Sequence, residues 1–356
     1  MLIILLFNPI ICFSQGACGS LSNSYSPPPG GEPAIRIYDR FGNEYSQESI
    51  QVPRINRGRE GSGACEDCSV GFIDIGIYRL FFMDIINNTG HGFDEVSPFC
   101  TNRKQVLCQV FNDLKNFLLT SPVGPRVNVR IRESGILNLG STSNALASAS
   151  SFYVISNGIT EGIIDGETWK SINGDEDPFL NYPPAILQQS ATATPLNGGY
   201  FHGDIQFYFP EDSEYYHTDF NILPPPNTID MYTVTLHEVM HMLGFASLIG
   251  SSGQSKYLDC PECYSRYDSY LEFKTNGQPV ITQNPSGGVD CMNIAYDGPP
   301  SMATGCLNGV IFDGVNNPNQ DVFSPFAWSN GSSLSHFDCG DDLLTCPKQS
   351  KCIDLV

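Results

Sequence analysis

The feature that most constrains this chain is its cysteine content, 13 residues in a length of 356. Cys12 lies in an apolar leader, and its removal leaves 12 cysteines (13 − 1), an even number. In an exported protein such a set predicts up to six disulfides. Two pairs, Cys65 with Cys68 and Cys260 with Cys263, have C-x-x-C spacing, which a zinc ribbon would share. The acidic residue inside each pair favours disulfides, although the sequence does not determine which cysteines pair.

The leader and the composition predict a secreted protein. Residues 2–13 are apolar but too short to span a bilayer, and the residues around Ser14 fit a signal peptide that ends there. The rest of the chain contains no apolar run long enough for a membrane helix. With 18 Lys+Arg against 38 Asp+Glu the net charge is −20, which argues against nucleic-acid binding. We therefore expect an acidic, extracellular protein.

Changes in composition divide the chain into segments. Residues 1–14 are the predicted signal peptide, and residues 15–68 form a small N-terminal segment of linker and hairpin, which is a candidate pro-region. The hairpin falls in residues 34–52, where apolar and polar residues alternate. Residues 69–356 are predicted to form the main domain. Residues 251–330 are rich in Gly, Pro, Asn and Cys, which predicts a disulfide-pinned insertion within that domain rather than an independent core.

Hydrophobic periodicity predicts the main elements. Residues 102–119 repeat apolar side chains at helical spacing, and residues 126–132 and 200–209 are typical of strands. A further helix is predicted to begin near Asp230, a residue type favoured at helix starts, and to end at Gly244.

This last helix carries the residues that point to chemistry. His237 and His241 are four residues apart, so a helix projects both from one face. Two neutral imidazoles at this spacing can bind a single zinc ion, with Glu238 beside a zinc-activated water. The pattern predicts a zinc site on a buried helix.

A catalytic zinc ion takes three protein ligands and leaves a fourth position for water. The compact motif of one protease group has its third histidine at a position that is Ser247 here. The only histidine beyond His241 is His336, 95 residues further along (336 − 241). A thermolysin-like alternative would instead use Glu262 or Glu272 on a following helix, although the Cys, Pro and Gly around them make a helix a poor expectation.

This arrangement resembles the leishmanolysin-like branch of the metzincin proteases, in which H-E-x-x-H-x-x-G-F is followed by an inserted domain and then a third histidine. It is closer still to secreted bacterial proteins with three further motifs. These motifs are D-x-x-G-N-x-Y at residues 39–45, Y-S-x-[FY]-D at residues 264–268, and W-x-x-G-S-S-x-S-H at residues 328–336. The resemblance extends from residue 34 to the C-terminus.

The resemblance implies a function and a fold. His237, His241 and His336 would bind one Zn²⁺ ion, Glu238 would be the general base, and proteins or peptides would be the substrates. The fold would be α+β: a metzincin-like catalytic domain with a twisted mixed sheet, a backing helix and a zinc-binding helix, and a disulfide-rich insertion before a small C-terminal subdomain. Residues 200–209 would form the edge strand along which a peptide substrate lies.

One departure from the family leaves an alternative open. Metzincins have a methionine in a turn soon after the third histidine, and Leu344 stands at that position here. Leucine could fill the same apolar space. Alternatively, the chain is a catalytically inactive (retired) protease scaffold that acts as an extracellular binding or adhesion protein.

The remaining polar candidates are assigned simpler roles. His91, His202 and His217 are expected to be surface or edge residues, with a substrate contact as the alternative for His202. The acidic runs at residues 175–177 and 211–214 could bind calcium, but neither has the spacing of a calcium loop, which favours a solvated acidic face.

Overall fold

The computed structural model describes residues 35–52, 64–83, 92–94, 97–118, 127–136, 146–156, 161–173, 199–209, 215–250, 253–257, 260–283, 289–291, 309–314, 317–324 and 332–337. Several predictions of the sequence analysis lie outside these residues: the signal peptide, both acidic runs, His91 and Leu344.

The described elements make the protein an α+β structure with more strands than helices. The helices are α1 (Gln47–Ile50), α2 (Cys100–Phe117), α3 (Glu167–Asn173) and α4 (Met231–Met242). The strands are β1 (Ile35–Tyr38), β2 (Glu44–Tyr45), β3 (Phe72–Ile75), β4 (Tyr78–Phe82), β5 (Val127–Ile136), β6 (Ala147–Ser151), β7 (Tyr153–Ser156), β8 (Glu161–Ile164), β9 (Gly203–Phe209), β10 (Tyr216–His217), β11 (Ile229–Asp230), β12 (Glu262–Ser265), β13 (Leu271–Phe273), β14 (Ile281–Gln283), β15 (Val289–Cys291), β16 (Val310–Gly314) and β17 (Asn317–Val322).

The largest described sheet is mixed and has five strands in the order β3-β4-β5-β9-β6. The central strands β4, β5 and β9 run parallel to one another, whereas the outer strands β3 and β6 are antiparallel to their neighbours. The predicted strands at residues 126–132 and 200–209 correspond to β5 and β9. Both strands are therefore confirmed.

The predicted position of β9 at the sheet edge is wrong. This strand pairs with β5 on one side and with β6 on the other, so its backbone groups are taken up within the sheet. The outer position belongs to β6, whose sequence is A-S-A-S-S. Alanine and serine lack the β-branched and aromatic side chains that mark strands, so no strand was predicted there.

One face of the sheet packs against the two long helices. Val127, Val129 and Ile131 alternate along β5 and are buried with residues of α2 and α4 in one hydrophobic cluster. The predicted backing helix at residues 102–119 is confirmed as α2, with its ends two residues earlier. Gly203 lets α4 approach the sheet closely, because an added Cβ would lie 2.5 Å from Cγ of Met242. No helix of the described residues is both long and apolar enough to cross a membrane.

The opposite face contains a buried ion-pair network. Nε of Arg130 lies 2.6 Å from Oδ1 of Asp204, and Arg132 also donates to this carboxylate. Arg130 donates a further hydrogen bond of 2.8 Å to the carbonyl of Ser49, just before Ile50, which is fully buried. The network therefore joins the sheet to the N-terminal segment.

The predicted N-terminal hairpin is confirmed and is joined to the rest of the structure. β1 pairs with β2 and also, along its whole length, with β7. Asp39 organises the turn, since Oδ1 accepts hydrogen bonds of 2.9 Å from the backbone N–H groups of Phe41 and Asn43. Whether any of this segment is removed as a pro-region stays a prediction.

Three disulfides lie among the described residues and confirm that both C-x-x-C pairs are oxidised. Cys260 bonds to Cys263 within its own motif. The other motif pairs outside itself, with Cys65–Cys108 and Cys68–Cys100 both attaching residues 65–68 to α2.

The region predicted as an insertion contributes to a hydrophobic cluster that also includes residues outside it, such as Ile249 and Leu334, and its status as an insertion stays a prediction. Two of its sheets have the orders β13-β16-β17 and β14-β15. Tyr267, Leu271, Val280 and Phe312 are among the buried residues of this cluster, which also includes Leu334. Strands of three to six residues produce too little periodicity to be recognised in the sequence.

The Asp204 network yields a stability prediction. Asp204→Asn should lower the free energy of unfolding by about 3–5 kcal/mol, because the buried Arg130 and the partly buried Arg132 lose their countercharge. The matched control is Asp321→Asn at the exposed pair with Lys274, where a loss below about 1 kcal/mol is expected. Denaturant unfolding measures both, and equal losses would contradict this account of the network.

Candidate metal centre

Local sequence determines where α4 begins and ends. Asp230 is its N-cap, and the carboxylate accepts hydrogen bonds of 3.2 Å from the backbone N–H groups of Tyr232 and Thr233. At the other end Gly244 has a φ of +106°, a conformation that glycine adopts without strain. The predicted helix is thus confirmed with its start and stop residues.

The structure brings together the three histidines that the sequence analysis singled out. Nε2 of His241 lies 3.0 Å from Nε2 of His237 and 3.0 Å from Nε2 of His336. One ligand atom from each of the three lies within 4.8 Å of the others. Nitrogens bound to one zinc ion at about 2.0–2.1 Å lie roughly this close to one another, so the group could hold a single metal ion.

Hydrogen bonds to carbonyl groups fix the tautomer of two of these rings, that is, which ring nitrogen carries the proton. Nδ1 of His241 lies 2.7 Å from the carbonyl oxygen of Phe245, and Nδ1 of His336 lies 3.0 Å from that of Ser332. A carbonyl oxygen can only accept, so the proton of each neutral ring is on Nδ1. Both Nε2 atoms therefore direct lone pairs towards each other.

Burial keeps all three imidazoles neutral. It lowers the pKa of His237 to about 3 and that of His336 to about 4, with further lowering by the neighbouring charges. The pKa of His241 lies well below its usual value of 6.5 for the same first reason, desolvation. Neutral imidazole is the form that binds a metal ion, so the rings are ready for coordination at neutral pH.

Glu238 lies on the same helix, with 2% of its surface exposed. Burial raises the pKa of its carboxyl group from 4.5 to about 7, and the positive charge of Arg40 opposes this effect. Oε2 has no hydrogen-bond partner among the described residues. A carboxylate with a pKa near neutrality and a free oxygen is suited to accept and return a proton.

Arg40 is a site residue that the sequence analysis missed. It belongs to the turn of the N-terminal hairpin, 5% of its surface is exposed, and its backbone N–H donates a 2.7 Å hydrogen bond to Oγ of Ser150 in β6. Its charge contributes to the pKa shifts of Glu238 and of all three histidines. The D-x-x-G-N-x-Y motif contains Arg40, and this motif was the only feature of the sequence that could have indicated a role for it.

The structure also tests the other candidates. Glu262 and Glu272 lie on strands β12 and β13, whereas the thermolysin-like alternative requires a helix. The expectation that His202 is a surface or edge residue is wrong: it is fully buried, and Nδ1 accepts a 2.9 Å hydrogen bond from the backbone N–H of Asn128. His202 directly precedes the internal strand β9, which accounts for its burial. His217 is partly buried on β10 and lies outside the histidine group.

Comparisons with protein-family models, with curated proteins and with solved structures found no match. The functional argument therefore depends on the geometry of this group and on the motifs in the sequence.

The pKa shifts predict acid sensitivity of the metal-free protein. The folded-state pKa of His336 is about 4 against 6.5 in the unfolded chain, so between these values the unfolded state binds more protons. Stability should fall as the pH is lowered through this window. His336→Asn removes this titration and should reduce the fall down to pH 4 by about 3 kcal/mol.

The measurement is chemical unfolding of both proteins, stripped of metal by a chelator, at pH 8 and at steps down to pH 4. The opposite contribution of Glu238 is present in both proteins, so the difference between the two curves reports on the histidine. Parallel curves would contradict the assignment of a buried, neutral His336.

Proposed function

We propose that the protein is a secreted zinc-dependent endopeptidase of metzincin type. In this proposal His237, His241 and His336 bind one zinc ion and Glu238 is the general base. The observation that carries it is the convergence of imidazole nitrogens 3.0 Å apart, with lone pairs opposed. The same helix carries the buried Glu238, whose Oε2 has no hydrogen-bond partner among the described residues.

The donor set fits a zinc ion. Two unprotonated nitrogens directed at each other repel, and a cation bound by both removes that repulsion. Imidazole suits Zn²⁺ and several other transition metals, whereas calcium and magnesium prefer oxygen ligands. Three protein nitrogens with one position left open is the arrangement of catalytic rather than structural zinc. A structural site would also have no use for the buried Glu238.

The fold and the compartment support the same proposal. The mixed sheet packs against α2 and α4, as the resemblance to metzincins implies for a backing helix and a zinc-binding helix. The three disulfides fit an oxidising compartment such as the extracellular space.

The mechanism assigns one task to each group. A bound zinc ion would supply Lewis acidity, polarising the scissile carbonyl and lowering the pKa of a water molecule. Glu238 takes a proton from the attacking water at its free Oε2 and returns it to the departing amine. The charge of Arg40 favours the ionised form of Glu238, the form that can accept the proton. The carbonyl groups of Phe245 and Ser332 hold the rings of His241 and His336 in orientation.

Zinc content and hydrolysis of casein test the proposal on four proteins. The wild type should contain about one zinc ion per chain and cleave casein. Glu238→Ala should keep the metal and lose activity by about 10²–10⁴-fold, since it removes only the base. His336→Ala should lose activity and bind zinc much more weakly, because only His237 and His241 remain as ligands.

The matched control is His217→Ala, which removes a histidine outside the group and should retain metal and activity. A wild-type protein that binds zinc but cleaves nothing would refute the proposed enzyme, as would a Glu238→Ala variant as active as the wild type. The first result would favour the retired scaffold as an extracellular binding protein.

A further inference from the structure

A short segment after α4 forms hydrogen bonds with one of the clustered histidines and with the residue next to another. We call residues 245–248 the bridge segment. Its first residue, Phe245, accepts the Nδ1–H of His241 at 2.7 Å. Two residues later, the backbone N–H of Ser247 donates a 3.1 Å hydrogen bond to Oγ of Ser335, the residue directly before His336. One segment thus contacts the parts of the chain that carry two different histidines.

The bridge segment is fixed in turn by side chains from residues 264–268, the motif that had no assigned role. Oδ2 of Asp268 accepts hydrogen bonds from the backbone N–H groups of Leu248 at 3.0 Å and of Ser265 at 2.8 Å. Oγ of Ser265 donates to the carbonyl of Ala246 at 2.8 Å. Asp268 is fully buried and Ser265 is 1% exposed, so these bonds are shielded from water.

The loop around His336 also forms hydrogen bonds with Phe323, the residue directly after β17. Phe323 N–H donates to the carbonyl of His336 at 2.8 Å, and Leu334 N–H donates to the carbonyl of Phe323 at 2.9 Å. These bonds connect the loop to the neighbouring strand but not to α4. The hydrogen bond from Ser247 to Ser335 spans 88 residues of sequence and does make the connection to the end of α4.

We infer that Ser335 is a positioning residue for the metal centre, whose hydroxyl group, held by the bridge segment, sets the position of His336 relative to His237 and His241. The inference rests on the proposed function only in taking these histidines as metal ligands. The physical reason is that His336 lies far along the sequence from the other two ligands. The helix α4 fixes the relative positions of His237 and His241, whereas the position of His336 depends on tertiary contacts of the residues next to it. Removing such a supporting group weakens metal binding although every ligand remains.

The test is the affinity for Zn²⁺, measured on the full chain by competition with a chelator. Ser335→Ala should weaken binding by about 10- to 100-fold, the range typical of groups that support metal ligands. Ser335→Thr keeps a hydroxyl group and should restore most of the affinity. The matched control is Ser269→Ala, which removes an exposed serine hydroxyl outside the site and should leave the affinity unchanged.

A double variant separates positioning from general destabilisation. If Ser335 acts through His336, adding Ser335→Ala to His336→Ala should cause no further loss of Zn²⁺ affinity. A further loss as large as that in the wild-type background would overturn the inference, and so would an unchanged affinity of Ser335→Ala alone. Metal affinity reports on this inference, while casein hydrolysis reports on the proposed function. A wild-type protein that binds zinc without cleaving casein would therefore contradict the proposed function but not the inference about Ser335.

Discussion

The structure around the proposed site depends on one electrostatic constraint, the convergence of neutral imidazoles whose lone pairs face each other. His241 and His336 each give the Nδ1 proton to a carbonyl group, so their Nε2 atoms, 3.0 Å apart, cannot hydrogen-bond to one another. Burial prevents the rings from relieving the repulsion by taking up a proton, since it lowers the pKa of each. A bound cation turns this unfavourable arrangement into a favourable one, which is why metal binding is the central claim.

Several segments of the protein hold the histidines in this arrangement. The sheet and the α2 helix bury the apolar face of α4, and Gly203 allows the close approach. Beyond α4, the bridge segment at residues 245–248 connects the helix to the loop that contains His336. The N-terminal hairpin adds Arg40, whose charge opposes the effect of burial on Glu238. Segments far apart in the sequence therefore contribute to one small region.

How much could be predicted from sequence depends on the range of each interaction. The i, i+4 spacing of His237 and His241 and the capping by Asp230 are local, and both were predictable. His336 was found by elimination and by resemblance, because nothing local connects it to α4. The role of Ser335 was not predictable, since its partner lies 88 residues away. The order of strands in the sheet is also long-range, and this explains why β9 was wrongly expected at the edge. The strand β6 was not predicted, because its alanines and serines are not typical of a strand.

The most direct test of the central claim is X-ray absorption spectroscopy at the zinc edge of the purified, zinc-loaded protein. The account predicts three imidazole nitrogens and one light-atom ligand at about 2.0–2.1 Å, with the imidazole contribution reduced in His336→Ala. A shell of sulfur at about 2.3 Å would contradict it, because the metal would then be held by cysteines rather than by the histidine group. A spectrum identical in His336→Ala would contradict the assignment of the third ligand.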